Sequence, residues 1–249
     1  MRTHHLKLWA AVLPLAVLLV AADAAWAQVT ISQTKAVNGA VTPGDAAGFP
    51  VTLTQPGSYR LTSNLQVPSG KDGIVVTGTE VTIDLNGFRV DGGGVGRDGI
   101  VGQQRNLTVR NGTVRKFARY GINNNGAALL VDSVRVQENA GTGVYDAGAA
   151  SAYGEVRGSS ILGNGDNGVY CRRTCVVRDS NVSQNRTVGI LLGAPGGLAV
   201  GNAVVANGEN GVVADGNAAI GGNLVTDNPV DNVSGVVSQG TNVCARSRC

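Results

Sequence analysis

Histidine is the most telling shortage in this chain. It has two, His4 and His5, both inside a leader-like start, so nothing after residue 27 carries an imidazole. That excludes a histidine general base, a histidine-containing triad and an imidazole metal site together. A large charge of one sign is missing too. Twenty basic against 17 acidic residues give a formal +3, too little to imply a nucleic-acid partner. After residue 27 no apolar run is long enough to span a bilayer, and no stretch keeps a helical period. There is no dense acidic cluster, since Asp98, Asp146 and Asp166 stand singly. Cysteine is limited to Cys171, Cys175, Cys244 and Cys249. Their C-x3-C and C-x4-C spacings do not match the paired C-x-x-C of a four-cysteine zinc site. No residue is assigned to a metal, and no cofactor is implied by composition.

The first 27 residues read as a secretory signal. Arg2, His4, His5 and Lys7 form a basic start, Leu8–Ala22 is almost wholly apolar, and Ala25-Trp26-Ala27 has the small-x-small form of a cleavage site before Gln28. The expected location is therefore secreted or periplasmic, with no membrane insertion once the signal is removed. Cysteines in such a chain favour disulfides. Of the three pairings that four cysteines allow, the local one is expected: Cys171 with Cys175, and Cys244 with Cys249.

What the chain does contain is a beat. Gly followed by Ile or Val occurs at Gly73, Gly99, Gly121, Gly143, Gly168, Gly189, Gly211 and Gly235, in steps of 26, 22, 22, 25, 21, 22 and 24 residues. Asn139, Asn164, Asn185, Asn207 and Asn228 keep nearly the same time, 25, 21, 22 and 21 apart. Between the markers lie short alternating apolar runs. Leu107, Val109, Val114 and Ile122 form one set, and Val131, Val134, Val136 and Val144 the next; Val156, Ile161 and Val169, then Val177, Val182 and Ile190, follow. Short β-branched runs of period two are strands, and the Gly, Asn, Asp and Ser between them suit tight turns. Three strands and three turns per repeat predict an all-β fold. It is a right-handed single-stranded parallel β-helix (a β-solenoid) of about eight coils with terminal caps. A coil cannot bury its own apolar side, whereas stacking at about 4.8 Å buries a continuous core and pairs the backbone. The Asn column is expected to be mechanical, its amides bonding along the stack. Residues 28–57 read as an N-terminal cap, 58–240 as the β-helix and 241–249 as a C-terminal disulfide tail.

The stretches Val41–Asp45, Gly48–Val51, Gln55–Leu65 and Val81–Phe88 resemble secreted bacterial right-handed parallel β-helix repeat proteins of the pectate-lyase-like group, over most of the chain after the signal. The resemblance implies the fold and a bias toward carbohydrate, not an activity. Polygalacturonase-like relatives carry Gly-His-Gly and alginate epimerases Asp-Pro-His, and neither segment is present. Pectate lyases use Ca²⁺ held by carboxylates and an Arg base, a chemistry that needs no histidine.

Aligning the repeats on the Gly-Ile pair gives outward columns. One lies eleven residues before the glycine: Arg110, Asp132, Arg157 and Arg178, with Asp84 in front. Alternating charges on stacked strands make a salt-bridge ladder. The same arginines also suit an acidic sugar chain, because the guanidinium fork meets carboxylates bidentately. Arg178 faces Val200 on the next coil and is expected to be half-matched. A second column, two residues after the glycine, holds Asn123, Tyr145, Tyr170, Leu191 and Val213. Tyr145 and Tyr170 are expected to stack, either as a sugar platform or as plain strand stabilisation. Lys116, Arg119 and Tyr120 border it.

Three functions stay open. One is a module that binds extracellular acidic polysaccharide through Tyr145, Tyr170 and Arg178, with Arg157 and Arg110 as further contacts. Another is a Ca²⁺-dependent polysaccharide lyase with Arg110, Arg157 or Arg178 as base. The third is a non-catalytic structural or adhesive surface protein.

Overall fold

The alternating apolar runs are strands in the computed structural model of the protein, which describes residues 28–148, 153–194 and 196–245. The expected leader, and Cys249 of the expected Cys244–Cys249 bridge, lie outside the described residues. Alternate residues of each run point inward. Val156 and Val177 are buried while Arg157 and Arg178, their neighbours in sequence, face outward. Burying one such β-branched side chain stabilises by roughly 1.5–3 kcal/mol, and almost every coil contributes several.

The strands stack in parallel into three sheets wound around one core. The first runs through Val51–Leu53, Ile74–Val76, Ile100–Gly102, Ile122–Asn124, Val144–Asp146, Val169–Cys171 and Ile190–Leu192 to the start of Val212–Gly221. The second runs through Val29–Ile31, Gly57–Leu61 and Val81–Asp84, then the first half of Leu107–Phe117 and of Leu129–Gln137, then Gly154–Arg157, Cys175–Arg178 and Leu198–Val200. The third runs from Leu65–Gln66 and Arg89–Gly96 through the second halves of those two long strands to Ser160–Leu162, Asn181–Ser183, Ala203–Val205, Leu224–Thr226 and Val243–Cys244. This is a parallel β-solenoid of about nine turns.

The ladder begins earlier in the chain than residue 58. Val29–Ile31 and Val51–Leu53 already pair with later strands. Between them the helix Gln33–Asn38, capped by Ser32 Oγ, covers the first strand of the third sheet. The Gln66 N–H donates to Gln33 Oε1 at 2.7 Å. The Thr52 N–H, on the open edge of the first sheet, donates to Asp45 Oδ1 at 2.7 Å. Edge groups are thus satisfied by side chains where no strand precedes them. No helix among the described residues is long and apolar enough to cross a membrane.

The two sequence beats have one physical cause. Asn139 Nδ2 donates to Asn164 Oδ1, Asn164 to Asn185 and Asn185 to Asn207, each at 2.9 Å, and Asn207 to Asn228 at 3.1 Å. Each receiving oxygen also accepts the backbone N–H of the same donor residue. The residue before each of these asparagines has a positive φ, between 55° and 63°, which bends the chain sharply and aims the amide inward. Gly121, Gly143, Gly168, Gly189 and Gly211 lie against this column. A Cβ on Gly168 would sit 2.6 Å from Asn185 Nδ2 and 2.7 Å from the Gly189 carbonyl oxygen. Glycine is needed there for close approach.

The eighth Gly-Val pair is out of step. Val233, not Val236, aligns with Val212, so Asn232 stands where the glycine would. Its Oδ1 accepts from Asn228 Nδ2 at 3.0 Å and closes the amide column. A second ladder escaped the sequence reading because it changes residue type. The Val134 N–H donates to Ser159 Oγ, the Ser159 N–H to Ser180 Oγ and the Ser180 N–H to Asn202 Oδ1, and Asn202 Nδ2 reaches Asn223 Oδ1 at 3.0 Å.

Candidate functional site

The expected charge column exists on the outer face of the second sheet. Asp84, Arg110, Asp132, Arg157 and Arg178 are in register on successive coils. Arg110 lies 3.3 Å from Asp84, and Arg157 Nη2 lies 2.8 Å from Asp132. The hydrogen bond from Arg157 holds the Asp132 carboxyl below its ordinary range, with Ser133 and the charges of Arg157 and Arg110 adding to it against partial burial. The expectation for Arg178 is corrected. It is not half-matched: its Nε donates to Glu155 Oε1 at 2.8 Å and its Nη1 to Asp179 Oδ2 at 2.9 Å. Glu155 lies two residues before Arg157, in a neighbouring outward column, so alignment on a single column could not show it. These carboxylate bonds push the Arg157 and Arg178 pKa values upward, away from what a general base requires. Arg110, Arg157 and Arg178 are all engaged with carboxylates of their own chain.

The tyrosines lie elsewhere, on the outer face of the first sheet. The two groups are therefore on different sheets. Tyr145 and Tyr170 are in register. Their rings meet edge to face, 5.3 Å between centroids and 64° between planes, not stacked as expected. The stacked partner of Tyr145 is Tyr120, at 4.9 Å and 11°. Three half-exposed aromatic rings thus form a continuous run over three successive coils. The Arg119 guanidinium lies 5.1 Å from the Tyr120 ring centroid, in cation–π range.

The segment under Tyr120 is pinned from the preceding coil. Buried Asp98 accepts from the Tyr120 N–H at 3.2 Å and from Asn123 Nδ2 at 3.0 Å, and Arg119 Nε lies 3.5 Å from it. Asn123, expected to face outward like Tyr145, is only 6% exposed. Tyr120 directly precedes the glycine and so belongs to another column, yet its ring stacks on Tyr145.

Beneath this face the interior is polar at one point. Asn124 Nδ2 donates to Asp146 Oδ1 at 2.9 Å, and burial raises the Asp146 pKa, with the bonds from Asn124 and the Gly148 N–H opposing it. The next coil places Cys171 beside Asp146. Cys171 is bridged to Cys175, as the local spacing predicts. Among the described residues no group of three acidic, His or Cys side chains is arranged to hold a metal ion.

Chemically, the first-sheet face offers flat aromatic surface with hydroxyl tips and a cation at one edge. Such a surface suits the apolar faces of sugar rings and the polar groups around them. The second-sheet column offers charges already neutralised by their neighbours.

Comparison with known proteins bears on the fold. Residues 98–247 match the family described as right-handed beta helix region. The crystal structure of Dettilon tailspike protein (gp208) is similar, with a TM-score of 0.53 and 16% sequence identity. The similarity covers 71% of this chain and 42% of that one. At that identity the likeness is one of fold, and the chain spans less than half of the tailspike's length. No curated protein sequence matches the chain.

Proposed function

The chain belongs to the right-handed β-helix family, and from that premise we propose that it is a secreted or periplasmic polysaccharide-binding protein whose binding surface is the tyrosine face of the first sheet. The observation that carries this reading is the run Tyr120–Tyr145–Tyr170, three contacting rings on consecutive coils with Arg119 at one end. An extended polymer can lie across several coils, and rings held by a rigid parallel stack lose little freedom on meeting it. Arg119, whose side chain is 52% exposed at the edge of the rings, favours a polymer with acidic substituents. Arg110, Arg157 and Arg178 belong to the ion-pair ladder in this reading, and the Arg-base lyase is the competing outcome.

The test is a glycan array on the chain from Gln28 onward, followed by calorimetry on the hits. Tyr120→Ala and Tyr170→Ala should each weaken binding by about 1 kcal/mol or more while the β-rich circular dichroism spectrum is kept. Equal affinities for wild type and both variants, or no glycan bound at all, would overturn the proposal. Release of an unsaturated product with Ca²⁺ and not without it would move the assignment to a lyase.

A further inference from the structure

Among the described residues several arginines lie outside any ion pair, and two of them, Arg172 and Arg173, are adjacent in the small loop that the disulfide closes. Cys171 and Cys175 are both buried and bridged, and between them the chain reads Arg172-Arg173-Thr174. Arg172 is exposed. Among the described residues neither Arg172 nor Arg173 makes an ion pair, whereas Arg110, Arg157 and Arg178 each do. Among the described residues the Arg173 Nε, like that of Arg110, is buried without an acceptor, an arrangement that native proteins resolve with a bound group or water.

Position gives the loop its meaning. Tyr170 points outward, Cys171 inward, and strand alternation turns Arg172 to the same outer side as Tyr170, about 6.6 Å further along the chain. The alternation persists that far, because the Arg172 N–H still donates to the Asp146 carbonyl at 2.9 Å and the Gly193 N–H to the Cys171 carbonyl at 2.7 Å. Among the described residues the positions that flank Arg172 on the neighbouring coils carry little side chain, and Arg172 is exposed. On one side the equivalent residue is Ala147, and on the other Gly193 passes directly over the Arg172 carbonyl. Neither has a side chain that reaches it.

We infer that the Cys171–Cys175 loop is a preorganised oxyanion site, in which Arg172 receives a carboxylate or sulfate substituent of a glycan lying on the tyrosine face and the adjacent Arg173 adds its positive charge to the loop. The inference rests on the function proposed above and adds its selectivity. The aromatic rings take the sugar and the loop reads the acid. Guanidinium forks suit planar and tetrahedral oxyanions, and a loop tied into the core at both ends has little left to order on binding.

The experiment compares an oligogalacturonate with its full methyl ester and with a sulfated oligosaccharide of the same length, on wild type and three variants. In Arg172→Gln/Arg173→Gln, affinity for at least one acidic oligomer should fall about tenfold or more, as loss of a charge-assisted bond predicts. Affinity for the ester should be unchanged, and the acid that responds identifies the substituent. Tyr170→Ala should weaken acid and ester alike. If the double arginine variant binds both acids like wild type while Tyr170→Ala still weakens binding, the loop's role is overturned and the tyrosine face stands. If Arg178→Gln reproduces the loss of the double variant, the effect is one of general charge and the inference fails. If wild type binds none of the three, both readings fall.

Discussion

Of the columns in this protein that repeat a polar side chain once per coil, the long asparagine column lies inside and the charged column outside. The inner one, Asn139 to Asn228, is almost sealed from water, with Asn164, Asn185 and Asn207 each 1% exposed. Each side-chain carbonyl oxygen in it after that of Asn139 takes two donors. The outer one, Asp84 to Arg178, keeps its charges in solvent: the Arg157 and Asp132 side chains are 35% and 28% exposed although only 2.8 Å apart. An amide both donates and accepts, so it can repeat without limit. A charge cannot follow its like. Where Arg157 and Arg178 come in succession, Glu155 has to lie close to both, at 3.6 and 2.8 Å. The same repeat therefore builds a structural spine where water is excluded and a screened, nearly neutral surface where it is not.

The hardest test of the inner column is Asn185→Ala. It strips the acceptor from the backbone N–H and Nδ2 of Asn164, two buried donors, and should cost about 3 kcal/mol. Urea unfolding would show a lower midpoint at unchanged slope, and a loss below about 1 kcal/mol would mean that water or a shifted neighbour replaces the amide.

Gly168→Ala attacks the same spine from the side by crowding Asn185 and the Gly189 carbonyl. Overpacking of this kind should cost about 2 kcal/mol. Combined with Asn185→Ala, part of the crowding is relieved, so the double variant should lose less than the sum. Strict additivity in a double-mutant cycle would argue that the glycine and asparagine columns are independent.

Asp146 places a titratable group in the inner environment. Its folded pKa is raised by burial, so the folded state binds the proton more tightly than the unfolded chain. Ionisation therefore opposes folding, and this contribution to stability falls as pH rises from the ordinary value of 3.8 through the raised one. Asp146→Asn keeps a neutral group beside Asn124 and should stabilise the protein at neutral pH while flattening that slope. Thermal melts from pH 3 to pH 8 that give parallel curves for the two proteins would contradict it.

The outer column should respond least. Asp132→Ala removes the partner of Arg157 and should cost under about 1 kcal/mol, less in high salt. Because the Asp132 pKa is lowered in the folded state, its stabilisation is complete above the ordinary carboxylate range and is lost as pH falls through the lowered value. A salt-insensitive loss would show that Asp132 has another role.

Much of this was legible along the chain. The three strands per coil, the amide column and the local Cys171–Cys175 bridge follow from spacing alone. The candidate site was only half legible. Tyr145 and Tyr170 were visible as a column. Tyr120 was not visible as their stacking partner, nor Glu155 as the partner of Arg178, because both contacts cross between columns. The Ser159–Ser180–Asn202–Asn223 ladder hid for a different reason: hydroxyl and amide oxygens serve the same N–H acceptor role, so the position repeats while the letter changes.

The division has a physical basis. In a parallel stack each coil meets chiefly its two neighbours, so the three-dimensional fold is nearly a property of the local period. That is why periodic apolar residues and a recurring asparagine were enough to determine coil, core and inner spine. Contacts on the outer surface depend on which way a long side chain leans and on turns whose lengths vary from coil to coil. One such irregularity moved Gly235 out of its column and put Asn232 in its place. Only the folded stack decided that the column arginines are neutralised while Arg172 and Arg173 make no ion pair among the described residues, because pairing is set by distances between coils, and those exist only once the turns have closed.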